Sequence, residues 1–151
     1  MKDNIKHNYF KEHIRIISCC YLHWTRINLV DLSDDRFAEY IFNAPFALVS
    51  HGTQKDPIFN YANKKALELW EYSFEEFTQL PSRKSAAEVS QKERNELISH
   101  VTKNGFYEGY RGVRISKTGK KFEIKDACIW NLFKDEKYYG QAALIRDWML
   151  L

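Results

Sequence analysis

The sequence is poor in the residues that break chains or staple them. Its 151 positions hold six glycines, three prolines and three cysteines. So little glycine and proline excludes collagen-like, linker-like and disordered architectures. Three cysteines, two of them adjacent at Cys19 and Cys20, exclude a disulfide framework; reduced thiols in a cytoplasmic protein are expected. No run approaches the roughly 18 apolar residues that a membrane span needs, and mean hydropathy is −0.54. A soluble chain with no membrane partner is therefore expected, and residues 1–11 are too polar to begin a secretory leader. Charge of one sign is missing as well. Lys and Arg number 23 against 20 Asp and Glu, for a net charge of +3, and the pI of 8.7 lies below the ~9 that marks nucleic-acid-binding domains. The basic residues are dispersed, with the densest group at Lys117, Lys120 and Lys121, so no nucleic acid is expected as a partner.

What is present is a composition 44% hydrophobic and 15% aromatic, at a length that buries about 70% of the unfolded surface without staples. Phe10, Ile14, Ile17, Tyr21 and Trp24 recur at steps of four and three, one helical face that must be buried on the domain or on a second copy. A second helix is expected from Ser33, with Asp34 and Asp35 in its first turn, ending near Asn43 because Pro45 restricts Ala44. Residues 46–49 and 57–61 read as strands, and Asn60 or Asn63 caps the helix carrying Ala66, Leu67 and Trp70. Ser73-Phe74-Glu75-Glu76 and Ser90-Gln91-Lys92-Glu93 have the form of capping boxes, the first flanked by Tyr72 and Phe77 at staple positions.

Asn104-Gly105 stops the last helix, and the period then changes to two. Strands are expected over 106–116, 121–133 and 138–148, and their hairpin-length turns require antiparallel pairing. In the second of these, Phe122, Ile124, Cys128, Trp130 and Leu132 share one face. The class is α+β: a five-stranded antiparallel sheet with helices on one face and an extra N-terminal helix. Residues 1–32 read as an N-terminal helical extension and 33–151 as the domain, with the helical seam offered to a homodimer.

The element order is that of PAS domains. The strand, Asn-rich turn and helix of Pro57-Ile58-Phe59-Asn60-Tyr61-Ala62-Asn63-Lys64-Lys65-Ala66-Leu67, followed by Ser73-Phe74-Glu75-Glu76-Phe77, resembles the PAS pattern. More narrowly, Ala44-Pro45-Phe46, Ser50-His51-Gly52-Thr53, Leu80-Pro81-Ser82-Arg83, Gly112-Val113-Arg114-Ile115-Ser116 and Gly140-Gln141-Ala142-Ala143 resemble the MEKHLA family of PAS-related modules. The resemblance implies a PAS-like sensory or interaction module and carries no settled ligand or activity. A stand-alone module of this kind acts by binding a small molecule or a protein partner and signalling through an interface.

Trp130-Asn131-Leu132-Phe133 and Gln141 resemble the light-sensing LOV branch of PAS. That branch places its reactive cysteine where this chain reads Leu80-Pro81-Ser82-Arg83-Lys84-Ser85-Ala86-Ala87, so no flavin–thiol adduct is expected. Haem is not expected either, because His100 falls in the last turn of its helix, where the dipole already explains it. The pairs Cys19/His23 and His13/Cys20 give two ligands per helix face, short of the three or four that zinc needs. The identity of any cofactor stays open.

Aromatic walls with a few polar anchors are the general form of a small-molecule pocket. The lining expected here is Trp70, Phe77, Phe122 and Trp130, with His51, Asn60, Arg83, Arg114 and Gln141 as anchors. Asp126 has the inward phase of its strand, and two environments follow. Either it pairs with Arg114, or a bulge near Ala127 turns it outward. An alternative function rests on the inward case: a small cone-shaped α+β enzyme using Asp126 as its acid/base. Without it the protein is not an enzyme.

Overall fold

The fold is described from a computed structural model over residues 8–151. Helix α1 (Lys11–Thr25) runs between two left-handed residues, Phe10 at φ 58° and Arg26 at φ 65°. Helix α2 (Phe37–Phe42) starts later than its acidic signal suggests. The Asp34 carboxylate accepts from the Arg36 N–H in a turn ahead of it, at 2.9 Å. Strands β1 (Ala47–His51) and β2 (Phe59–Ala62) lead into α3 (Lys64–Trp70) and the one-turn α4 (Phe74–Phe77). Two 3-10 turns, Ser82–Ser85 and Glu88–Ser90, precede α5 (Gln91–Asn104). The chain ends in β3 (Phe106–Ile115), β4 (Lys121–Lys134), β5 (Lys137–Ile145) and β6 (Asp147–Leu150).

Local chemistry explains most boundaries. Asn63, fully buried, caps α3 through its Oδ1, which accepts from Ala66 N–H at 3.1 Å and from Leu48 N–H at 3.0 Å. Its Nδ2 donates to the carbonyls of Ile41 and Phe46, so one side chain ties α2, β1 and α3 together. The Ser73/Glu76 capping box forms in both directions. The expected Ser90/Glu93 box does not. The Ser90 hydroxyl accepts instead from Val113 N–H at 3.1 Å, which fastens the start of α5 to β3.

The sheet is antiparallel in the order β2-β1-β5-β4-β3, and β6 extends the line of β5 along the first half of β4. The single last strand expected over 138–148 is therefore two, broken at Arg146. The break lies beside a kink in β4, where Asp126 has φ 50° and an exposed side chain. Asp126 is the extra residue between the pairs Gly112↔Ile124 and Tyr110↔Ala127. A bulge of this kind changes the phase of everything after it. Phe122 and Ile124 face one side of the sheet with Ala127 and Ile129, whereas Cys128, Trp130 and Leu132 face the other. The expected common face of β4 is thus split in two.

Helices cover both sides. On one, α3, α4 and α5 bury Trp70, Phe77, Leu97 and Val101 against Val49, Phe122 and Ile129. On the other, α1 and α2 lay Ile14, Ile17, Tyr21, Phe37 and Ile41 over Leu48, Tyr61, Trp130 and Leu144. The seam offered to a homodimer is consumed within the chain, with Ile14 and Ile17 at zero exposure. Packing also joins what a division at residue 32 separates. Trp130 Nε1 donates to the Ile17 carbonyl at 3.3 Å and Trp24 Nε1 to that of Asn131 at 3.0 Å. The Trp24 ring occupies the space a Cβ on Gly105 would need, so the positive-φ glycine that stops α5 (φ 108°) also seats α1.

Among the described residues no helix is long and apolar enough to cross a membrane. One defect of the α1 layer is measurable. The Tyr61 hydroxyl is buried and has no hydrogen-bond partner among the described residues, and burial pushes its ionisation well above the ordinary range. A buried unsatisfied hydroxyl costs about 1–3 kcal/mol. Tyr61→Phe is expected to raise the unfolding free energy by about 1 kcal/mol in urea titration, where most core substitutions lower it.

Candidate functional site

Between the sheet and α3–α5 lies a cavity of about 60 Å³. Val49, Phe59, Trp70, Leu97, Ile124 and Ile129 form its apolar walls, and its polar end is made by His51, Gln141, Ser82, Ser85, Arg94, Tyr110 and Arg114. The polar groups are placed by sheet register. His51 of β1 pairs with Gln141 of β5, and Gln141 with Asn131 of β4, so the three side chains form one row across three strands.

The hydrogen bonds of that row have one consistent direction. Gln141 Oε1 can only accept, so His51 carries its proton on Nε2, which donates to it at 3.0 Å. His51 Nδ1 then accepts from the Ser82 hydroxyl at 3.2 Å, and the Ser82 oxygen in turn accepts from Arg94 Nη2. Gln141 Nε2 donates to Thr102 Oγ1 at 2.9 Å and to Asn131 Oδ1 at 3.1 Å. Asn131 Nδ2 finishes the row on the carbonyls of Val101 and Thr102. Burial, reinforced by the Arg94 charge, lowers His51 from 6.5 to about 4, so it is neutral at pH 7.

The two arginines carry the positive charge. Arg94 comes from α5 and Arg114 from β3, and each is 7% exposed. Arg114 Nη2 donates to the Tyr110 hydroxyl at 3.2 Å, and its guanidinium lies 5.3 Å from that ring's centre. Gly112 sits between them on the strand, and a Cβ there would collide with the Tyr110 phenol. Burial, then the neighbouring Arg114 charge, lowers Arg94 to about 10, so it stays cationic at pH 7. Among the described residues neither arginine has a carboxylate within ion-pair distance. A buried charge without a counter-charge costs on the order of several kcal/mol.

The expected site residues divide. His51, Trp70, Arg114 and Gln141 do line the cavity. Phe77 and Phe122 stand behind it, Phe77 stacked on Phe59 with centroids 4.1 Å apart and Phe122 edge-on to Trp70. Four residues lie elsewhere. Asn60 is the extra residue where the β1–β2 register slips, and it turns to the α1 side, accepting from Ser50 Oγ. Arg83 points to solvent and pairs with Asp56 at 3.1 Å. Trp130 is on the opposite face because of the Asp126 bulge. Asp126 is exposed and outside the cavity, and Arg114 bonds Tyr110 instead of it, which removes the geometry of the enzymatic alternative.

Arg94, Tyr110, Ser82 and Ser85 were not among the expected residues. For Arg94 a signal exists. It stands at i, with Leu97 at i+3 and Val101 at i+7, as the one charged member of the buried stripe of α5. Tyr110, Gly112 and Arg114 share a strand face by the same kind of count.

Cofactors of the PAS fold can be tested against this geometry. About 60 Å³ is far below the ~300–1,000 Å³ of sites that enclose drug-sized ligands. Trp70, Phe77 and Phe122, all nearly fully buried, fill the remaining space. Where an adduct-forming cysteine would stand, Ser82–Ser85 forms the 3-10 turn. The cavity of this structure is smaller than a flavin ring system. His100 is exposed on the outer face of α5, against Tyr107, and does not reach the cavity.

Similarity to known proteins is structural first. A PAS domain from Colwellia psychrerythraea superposes with a TM-score of 0.64 at 22% identity, covering 78% of this chain and 97% of that one. An RNA-binding light-oxygen-voltage receptor matches at 0.63 and 17%, over 72% of this chain and 31% of its own. The light-state dimer of the fungal blue-light photoreceptor Vivid matches at 0.57 and 18%, over 70% and 79%. None of the curated proteins matches the chain. These likenesses establish a PAS fold, and the MEKHLA domain pattern matches residues 11–150. With nearly its whole length inside that match, the chain belongs to the MEKHLA family.

Proposed function

We propose that this protein is a PAS-like sensory module that binds a small molecule in the cavity between the sheet and α3–α5, and does so without turning it over. The observation that carries this reading is the row His51–Gln141–Asn131, a fully hydrogen-bonded polar line at the polar end of a cavity whose other walls are apolar. Buried polar networks are costly unless complete, and one that borders a cavity is positioned to feel what enters it. Support for binding over catalysis comes from the lining itself: it includes no carboxylate, and its histidine is neutral with both ring nitrogens engaged.

The route outward is short. Asn131 receives Gln141 on its side chain, and its backbone carbonyl accepts from Trp24 of α1. Occupancy at the Gln141 end therefore bears on the α1 layer, whose outer surface is the proposed interface with a protein partner or a second copy in the cytoplasm. The test is a thermal-shift screen of small metabolites, repeated on Ala143→Leu, which adds volume at the cavity wall. Wild type should be stabilised in a saturable way by at least one compound, and the variant should lose that response while folding normally. Equal responses in both proteins would place binding outside the cavity and overturn the reading.

A further inference from the structure

We propose that the polar end of the cavity is a site for a small oxoanion, a carboxylate or an inorganic oxoanion of about three to five heavy atoms, held between the guanidinium groups of Arg94 and Arg114. This deepens the reading above and rests on it. The donor inventory is lopsided in one direction. Each guanidinium has five N–H donors. Arg94 uses Nη1 on Asn95 Oδ1 and Nη2 on Ser82 Oγ. Arg114 uses Nη1 on the Val113 carbonyl and Nη2 on the Tyr110 hydroxyl. The Tyr110 hydroxyl, accepting from Arg114, keeps its own proton to give. Every acceptor in these bonds is neutral, and Asp56, the acid whose field reaches Arg94, is engaged at the surface by Arg83.

The remaining polar groups do not supply the missing charge. His51 is neutral and its two nitrogens are satisfied by Ser82 and Gln141. Gln141 turns its acceptor to His51 and its donor to Thr102 and Asn131. The cavity end therefore offers spare N–H and O–H donors and two buried positive charges, and among the described residues no anion faces it. Guanidinium groups bind planar carboxylates and oxoanions by paired N–H donors, and both arginines border this one cavity. Size sets the upper bound. A volume of about 60 Å³ holds about four water-sized positions, enough for formate, acetate, nitrate or phosphate and too little for a nucleotide or a sugar. Gly112 belongs to the same device, because its lack of a side chain lets Tyr110 and Arg114 meet across it.

The experiment is a titration of the full chain with sodium formate, acetate, nitrate and phosphate, against sodium chloride at equal ionic strength and against acetamide, the neutral counterpart of acetate. Binding is read by calorimetry and by the arginine side-chain resonances in ¹H–¹⁵N spectra. At least one oxoanion should bind saturably, at least tenfold more tightly than acetamide, and shift the Nε–H signals of Arg94 and Arg114. Arg94→Met and Arg114→Met should each weaken binding tenfold or more, while Arg94→Lys keeps part of it. Should a methionine variant fail to fold, the wild-type arginine resonances decide alone. Acetamide binding as well as acetate would overturn the anion site and leave the small-molecule cavity standing. Binding that persists in both methionine variants would overturn it by placing the anion elsewhere. No response to any of the oxoanions would overturn the anion site and leave the small-molecule cavity to the thermal-shift screen.

Discussion

Trp130→Ala should lower the unfolding free energy by about 3–5 kcal/mol, the range for losing a buried aromatic and leaving a cavity. Trp130 is fully buried, lies 4.8 Å from the Tyr21 ring between centroids, and donates to the Ile17 carbonyl. At ~2–4 °C per kcal/mol for a chain of this size, the midpoint should fall by roughly 10 °C. The informative part is the shape of the transition. Because α1 and the sheet share one core, helix and strand signals in circular dichroism should be lost together, and a chain cut to residues 33–151 should have no cooperative transition. A truncated chain melting sharply near the wild-type temperature would mean that α1 is an accessory layer after all.

That prediction takes one side of an alternative the sequence leaves open, and the reason it is open is physical. The spacing of Phe10, Ile14, Ile17, Tyr21 and Trp24 specifies an amphipathic helix and its buried face, but periodicity does not name the surface that covers it. The covering surface appears only when β4 is known to change phase at Asp126. Alternation counting alone does not place that bulge, since Ile124 and Cys128 look in phase across it. Its one signal is a charged Asp126 in an inward phase, one of whose two readings, a bulge near Ala127 that turns it outward, is what the strand adopts. Asn60 was misplaced for the same reason, by a slip of one residue in a four-residue strand. Elements with their own chemical punctuation were legible: the Ser73/Glu76 box, the Asn63 cap, the Gly105 stop and the hairpins of the meander. Two of the expected anchors, His51 and Gln141, stand in stretches that resemble one family, and both line the cavity. Arg94 escaped because a charged residue on a helix reads as solvated unless the stripe around it is counted.

Acidification should destabilise the protein well before its carboxylates are protonated. Burial lowers both His13 and His51 from 6.5 to about 4. Around His13 stand Ser50, Tyr139 and, one bond further, Asn60; around His51 stand Ser82, Gln141 and the Arg94 cation. As pH falls through 6.5 the unfolded chain takes up two protons that the folded chain refuses until about pH 4. Stability is therefore complete above pH 7, declines across the window from 6.5 to 4, and flattens below it with respect to these groups. A tenfold change in proton affinity is worth about 1.4 kcal/mol, so roughly 3 kcal/mol per imidazole is at stake. Urea unfolding at pH 7.5 and 4.5 measures the difference, and His13→Gln and His51→Gln should each remove about half of it. Equal midpoints at the two pH values would show that the imidazoles are not held neutral. An oxoanion between Arg94 and Arg114 would offset the cationic field on His51 and narrow that half of the effect.

The bulge at Asp126 also makes length a structural quantity. Up to Ile124, β4 feeds the cavity side with its even-numbered residues; from Cys128 onward the even-numbered residues feed the α1 side. Were β4 to run straight through this point with every residue kept and no bulge, Ala127 and Ile129 would give way to Cys128 and Trp130, putting an indole where the cavity lies and small groups beneath Ile17 and Tyr21. Composition could be kept perfectly and both layers would still be ruined. Insertions and deletions among related chains should therefore collect in the turns at 117–120 and 135–136, where the glycine at 119 meets nothing and the strand ends are exposed. Between those turns the chain should be counted as strictly as a reading frame.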